Sequence, residues 1–197
     1  MSEITTELIK DLRDRTGISV MQCKKALEEA GGDIEKALVI LRKKGAAAAE
    51  KKADRTLGAG AVAAYVHGNG NVGAMVELSC ETDFVSNNAE FKQLAYDIAM
   101  HVAASSPQFL KKEDITEEAK KAASEVFAKE VEGKPENLKE KILAGKLDAY
   151  FADKVLLEQP FIKNPDITIS GLIQSAIQKF GEKTEISKFT RFSVLGK

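Results

Sequence analysis

At 197 residues the chain has room for one medium domain, or for a small one joined to a medium one. Apolar residues make up 44%, as in a folded soluble protein, and 29 basic against 30 acidic residues leave a net charge of −1. The two signs are interspersed along the chain, which argues against nonspecific nucleic-acid or anionic-membrane binding as its main task. Cys23 and Cys80 stand far apart, and only His67 and His101 could join them as metal ligands. That inventory holds no zinc pattern and no disulfide framework, so the thiols are expected to be reduced, with no metal and no cofactor. The N-terminus lacks a charged segment followed by an apolar run, and no stretch approaches membrane-span length, so a cytoplasmic protein is expected.

Residues 5–44 read as three short helices. Thr5 can cap the first, Leu8, Ile9 and Leu12 share one face, and Gly17 ends it. Ser19 with Gln22 has capping-box spacing, opening a second helix with Val20, Cys23, Ala26, Leu27 and Ala30 on its apolar face. Gly31-Gly32 stops it, and Asp33 caps a third helix carrying Ile34, Ala37, Leu38 and Leu41. A bundle of about forty residues has no room for a catalytic cleft and suits docking. Arg13, Thr16, Gly17, Ile18 and Met21 of its first loop are contact candidates, unless they are solvated surface with Met21 in the core. The Ala/Lys/Glu-rich stretch after Gly45 reads as a solvated, semi-rigid connecting helix ended by Gly58 and Gly60. The expected organisation is a docking bundle over residues 1–45, a linker over 46–58 and an α+β core over 59–197.

In that core a hairpin comes first. Val62, Ala64 and Val66 alternate with their neighbours, as do Val72, Ala74, Val76 and Leu78, around a turn containing Asn69-Gly70. Gly68, Gly70 and Gly73 match a dinucleotide fingerprint, but a strand follows them rather than a helix, so they serve the turn. Asn87 with Glu90 can cap a helix with Phe91, Leu94, Ala95, Ile98 and Val102 inward, ending near Pro107. Thr116 can cap another with Ala119, Ala123, Val126 and Phe127 inward, broken at Gly133-Lys134-Pro135. Residues 136–157 read as helical with an interruption at Gly145, 159–162 as extended, and 171–180 as a helix capped by Ser170. A long alternating strand over 184–194 should pair with the hairpin, giving a small antiparallel sheet covered by helices.

Between the hairpin and the next helix lies Glu81-Thr82-Asp83-Phe84-Val85-Ser86. An aromatic at such a bend either caps its own core or faces outward, flanked by Asp83, as a tip for another protein's pocket. Catalysis has no positive support. His67 sits in a turn, and His101 reads as a surface or half-buried helix residue; the carboxylates lie among lysines as solvated pairs.

Three segments carry a resemblance: Leu12–Gly17 through Cys23–Asp33, Val76–Val85 and Leu156–Phe161. In order, spacing and wording they resemble bacterial elongation factor Ts over nearly the whole chain. The resemblance implies a guanine-nucleotide exchange factor that binds elongation factor Tu, GDP-bound and nucleotide-free, and speeds replacement of GDP by GTP. It implies a ubiquitin-associated-like N-terminal bundle docking on the G domain through Arg13, Thr16, Gly17, Val20 and Met21. It further implies that Thr82, Asp83, Phe84 and Val85 dislodge Mg²⁺ from the nucleotide site. Where the family often has Gly-Met-Met-Asp, this chain reads Ser19-Val20-Met21-Gln22, so one contact methionine is Val20. The length is that of the family's short form, with one sheet, and pairing of two copies could restore the surface of a second. A ubiquitin-like-binding adaptor is the alternative, resting only on the three-helix bundle.

Overall fold

The computed structural model describes residues 4–130 and 136–194. It is an α+β fold, beginning with α1 (Thr6–Thr16), α2 (Val20–Glu29) and α3 (Ile34–Glu50). The expected caps are in place: the side chains of Thr5, Ser19 and Asp33 accept the N–H groups of Leu8, Gln22 and Lys36. Gly17 closes α1 at φ 67°, a left-handed conformation that a β-carbon would strain. The Ser19–Gln22 capping box is only half formed. The Gln22 side chain does not reach back; its Oε1 accepts Gln178 Nε2 at 2.8 Å. Leu12, Ile18, Cys23, Ala26, Leu27, Ala37 and Leu41 form the bundle's own core.

The connecting helix is a continuation of α3, which runs through Gly45 to Glu50. It is solvated on one face only, since Ala48 and Ala49 pack on the main core. A β-carbon at Gly45 would stand 3.3 Å from the Gln174 carbonyl oxygen, so this glycine allows α3 to approach the helix that carries Gln174.

Strands β1 (Ala59–His67) and β2 (Val72–Cys80) form the expected hairpin, followed by a single-turn helix α4 (Asp83–Ser86) and α5 (Ala89–Ser105). The cap of α5 is Asn88 rather than Asn87, because Asn87 already closes α4. Next come α6 (Glu117–Glu130), capped by Thr116 Oγ1, and α7 (Glu136–Ala152), which passes Gly145 without interruption. Val126 is exposed, against expectation, while Ala123, Phe151, Val155 and Ile115 form a small third core. The break at Gly133-Lys134-Pro135 lies outside the described residues. A short ribbon, β3 (Pro160–Phe161) with β4 (Asn164–Thr168), leads into α8 (Ile169–Phe180), and β5 (Thr184–Ser193) ends the described chain. Thr168, not Ser170, caps α8, accepting Gly171 N–H at 3.1 Å.

The main sheet is antiparallel in the order β1-β2-β5. Its inner face, with Ala74, Val76, Leu78 and Ile186, packs on Phe91, Ala95, Ile98 and Val102 of α5 and on Ile169, Ile173 and Ile177 of α8. A bulge between Glu77 and Leu78 of β2 leaves Ser187 without an opposite residue, so Phe189 still turns inward beyond it. In β1 the alternation read from the sequence left open which set turns inward. Ala59, Ala61, Ala63 and Tyr65 face the helices, and Val62 and Val66 face out. Nearly every β1 residue is apolar, so alternation alone could not choose; close packing of α5 favours the alanines.

His101 lies wholly inside this core, not at the surface. Ile162 N–H donates to its Nδ1 at 3.3 Å, which leaves Nε2 to donate to Gln159 Oε1 at 2.8 Å. Gln159 in turn donates to the Asp153 carbonyl. Burial lowers the His101 pKa, with the Gln159 bond opposing it, so the ring is neutral at pH 7.

Candidate functional site

Four residues cannot sustain a helix by themselves, because nucleation fixes several dihedrals for one hydrogen bond. In α4 the fixing is done from outside. Val85 is 4% exposed and Ser86 is buried, so both root the turn in the main core. Adjacent helix positions point about 100° apart, and Phe84 consequently turns away from the protein, with 84% of its surface exposed. Asp83 stands exposed beside it. Ser86 Oγ donates to the Asp83 carbonyl at 3.2 Å, and Cys80 Sγ donates to the Thr82 carbonyl at 3.2 Å. Of the four residues singled out in this segment, Thr82, Asp83 and Phe84 are outside and Val85 is inside.

A set of charges holds the base of the turn. Both oxygens of Glu182 are used on Thr82, one accepting its N–H at 3.0 Å and the other its hydroxyl at 2.6 Å. Glu81 accepts Lys183 N–H at 2.6 Å and pairs with Arg55 at 3.1 Å. The Lys183 bond, then Arg55, holds the Glu81 carboxyl below the usual range, so Glu81 is charged at neutral pH. Lys183 Nζ donates to the carbonyls of Ala53 and Arg55 at 2.8 and 3.2 Å. Cys80 lies beneath, its thiol pushed up by burial and by the nearby Glu182, which makes it a structural rather than a nucleophilic cysteine.

The second candidate surface is the α1–α2 loop. Val20 and Met21 are 53% and 69% exposed, and Arg13 is exposed on the end of α1. Ile18, expected among the contacts, is buried in the bundle. Thr16 is turned back, its hydroxyl donating to the Leu12 carbonyl at 2.7 Å and accepting Ile18 N–H at 3.3 Å. It shapes the loop more than it presents itself. Gly17 lies beside α8: a β-carbon there would stand 3.0 Å from Lys179 Nζ. That same amine pairs with Glu90, one residue into α5, at 2.7 Å.

The residues missed by sequence reasoning are therefore Arg55, Lys179, Glu182 and Lys183. A charged run after the helix-closing Gly181 was the only visible signal. The partner of Arg55 lies 26 positions away and those of the other three about a hundred, beyond any local spacing rule. Among the described residues no group of three or more His, Cys, Asp or Glu side chains could hold a metal ion, and no helix is long and apolar enough to cross a membrane.

The family model described as "Elongation factor TS" matches residues 20–196. A relative named elongation factor Ts from Carboxydothermus hydrogenoformans is 50% identical over 193 residues, covering 97% of this chain and 89% of its own. One of the same name from Thermotoga petrophila is 49% identical over 192 residues, covering 98% and 96%. One from Desulforamulus reducens is 45% identical over 196 residues, covering 98% and 90%.

Proposed function

The chain belongs to the elongation factor Ts family, and from that premise we propose that it binds elongation factor Tu carrying GDP and promotes replacement of GDP by GTP. It acts in translation elongation by binding, not by making or breaking covalent bonds, and needs no cofactor of its own. Phe84 is the wedge, inserted near the nucleotide site so that the bound Mg²⁺ loses its place. Asp83 is the polar anchor beside it. Arg13, Val20 and Met21 dock the bundle on the G domain, on a loop held in shape by Thr16 and Gly17. The observation that carries this reading is the exposed ring of Phe84 on a turn rooted by Val85 and clamped by Glu81 and Glu182.

An exchange factor must bind the nucleotide-free partner more tightly than the GDP-bound one, or it shifts nothing. A thousandfold faster release corresponds to about 4 kcal/mol. Burying one Phe yields roughly 1.5–3 kcal/mol. The ring alone falls short, so other contacts made around the Phe84 turn must also favour the distorted G domain, while the docking loop supplies affinity in both states. The experiment is release of a fluorescent GDP analogue from elongation factor Tu. Phe84→Ala should slow stimulated release at least tenfold, and near-normal stimulation removes Phe84 from the mechanism. An adaptor for ubiquitin-like proteins would instead retain a spread of partners in a bacterial lysate, where the exchange factor retains one abundant GTPase.

A second copy of the chain fits the outer face of the main sheet. Val62, Ala64, Val66, Met75, Phe192 and Val194 are exposed there, and all but Val62 line a cavity of about 520 Å³. Two such faces can pack as a sandwich about a twofold axis. Light scattering on the purified protein tests this: Met75→Glu with Phe192→Glu should convert a dimer to a monomer, and a wild-type monomer at micromolar concentration excludes it.

A further inference from the structure

The geometry points to the turn joining α8 to β5, residues 181–183, as the clasp that aims the Phe84 ring, with Glu182 as its positioning residue; this rests on the reading of Phe84 as the wedge. Thr82 occupies the N-cap of α4, yet its side chain makes no cap bond to its own helix. It donates instead to Glu182, from the other end of the fold. A one-turn helix has thus exchanged its local cap for a distant carboxylate, which takes up the backbone N–H and the hydroxyl of one residue on separate oxygens. Such two-point, charge-assisted contact fixes direction as well as distance.

The clasp is itself held on several sides. The Gly181 carbonyl accepts Lys52 Nζ at 2.8 Å, just past the end of α3. Lys183 binds Glu81 through its backbone and the 53–55 segment through its side chain. Earlier on α8, Lys179 lies between Gly17 and Glu90, and Gln178 binds Gln22. The C-terminal end of α8 therefore touches both exposed surfaces: the Phe84 turn through Glu182, and the docking loop through Lys179 and Gln178. A wedge works only if force from docking reaches its tip, and that requires a rigid mount. Without Glu182 the ring stays exposed but loses its fixed direction, while the docking loop keeps its own supports.

The consequence is a split between rate and affinity. GDP-analogue release from elongation factor Tu is measured over a range of factor concentrations for Glu182→Ala, Glu182→Gln, Thr82→Val, Thr82→Ser and Phe84→Ala, with melting curves for each. Glu182→Ala removes both bonds to Thr82 at an exposed site and should lower the maximal rate about tenfold. The half-saturating concentration should stay within about twofold, as docking is untouched. Thr82→Ser keeps the hydroxyl and should keep the rate. Thr82→Val loses the hydroxyl bond but keeps the N–H one, so it should slow the rate by no more than Glu182→Ala does, and the two together should be no worse than Glu182→Ala alone. In the Phe84→Ala background, Glu182→Ala should have no further effect.

A maximal rate for Glu182→Ala within about twofold of wild type, with Phe84→Ala slow, overturns the clasp and leaves the wedge standing. Multiplying effects of Glu182→Ala and Phe84→Ala overturn it as well. A normal rate for Phe84→Ala removes the wedge, and the positioning role falls with it. If Glu182→Ala unfolds, the decision passes to Glu182→Gln and to Thr82→Val, whose site is on the surface: equal rates for Thr82→Val and Thr82→Ser then count against the clasp.

Discussion

The Phe84 turn and the α1–α2 loop both thrust an apolar side chain into solvent, but they are built by opposite means. The loop is shaped mainly by local bonds: Gly17 closes α1, Ser19 opens α2, and Thr16 bonds back to Leu12 within the same twenty residues, with the Gln22–Gln178 bond tying its far side to α8. The turn is shaped from afar, by Glu182, Lys183 and Arg55 acting on Thr82 and Glu81. A loop with local supports can adapt as it docks, whereas a turn clamped from another part of the fold resists displacement. The first property suits recognition and the second suits prying.

The strongest way to separate them is to remove the support of one. Leu12 and Leu27 are fully buried in the bundle, and Leu27→Ala should cost about 2–5 kcal/mol there. Chemical denaturation should then detect early loss of the bundle. The half-saturating concentration for exchange should rise steeply, with the maximal rate recoverable at high concentration. Next in size, Phe84→Ala should slow maximal release at least tenfold, equivalent to about 1.4 kcal/mol or more. Its melting temperature should not move, because the ring is exposed and removes nothing from the core.

Gly17→Ala should destabilise by about 1–2 kcal/mol. The residue has φ 67°, and the added carbon meets Lys179 Nζ at 3.0 Å; calorimetry of the single variant measures the effect. Met21→Ala is smaller still: a few-fold weaker docking, about 1 kcal/mol, with an unchanged maximal rate.

How legible these two regions were in the sequence follows from the same contrast. Thr5, Gly17, Ser19 and Asp33 act within three or four residues, and their roles could be read directly. Thr168 and Asn88 displaced the neighbouring caps, because helix starts compete over one or two positions and the flanking turns decide. The Ala-rich continuation of α3 read as solvated because its exposed face is charged, while the face with Ala48 and Ala49 carries no polar marker. In β1 nearly every position was apolar enough to face either way. His101 read as a surface or half-buried residue because its three partners, Gln159, Ile162 and Ser105, come from other turns of the chain or from far along it. The sequence of Glu81–Ser86 marked the turn as unusual, but nothing near it named Glu182.

The buried His101 offers the mildest test of that interior. Its pKa is lowered in the folded state, so the unfolded chain binds more protons just below the ordinary histidine range. Stability should therefore be full above about pH 6.5 and decline as pH falls toward the folded-state pKa. Replacing His101 by Gln should flatten that stretch of the curve, as followed by thermal melting from pH 7.5 to 5, a range of about two and a half units.

The central claim is that Phe84 works by loosening a metal's hold on GDP, and chelation tests it most directly. Release from elongation factor Tu is followed at saturating wild-type factor and saturating Phe84→Ala, first with Mg²⁺ present and then with excess chelator. The account predicts a deficit of at least tenfold with Mg²⁺ that shrinks to within about twofold once the metal is gone. An equal deficit in both conditions, or none in either, contradicts it.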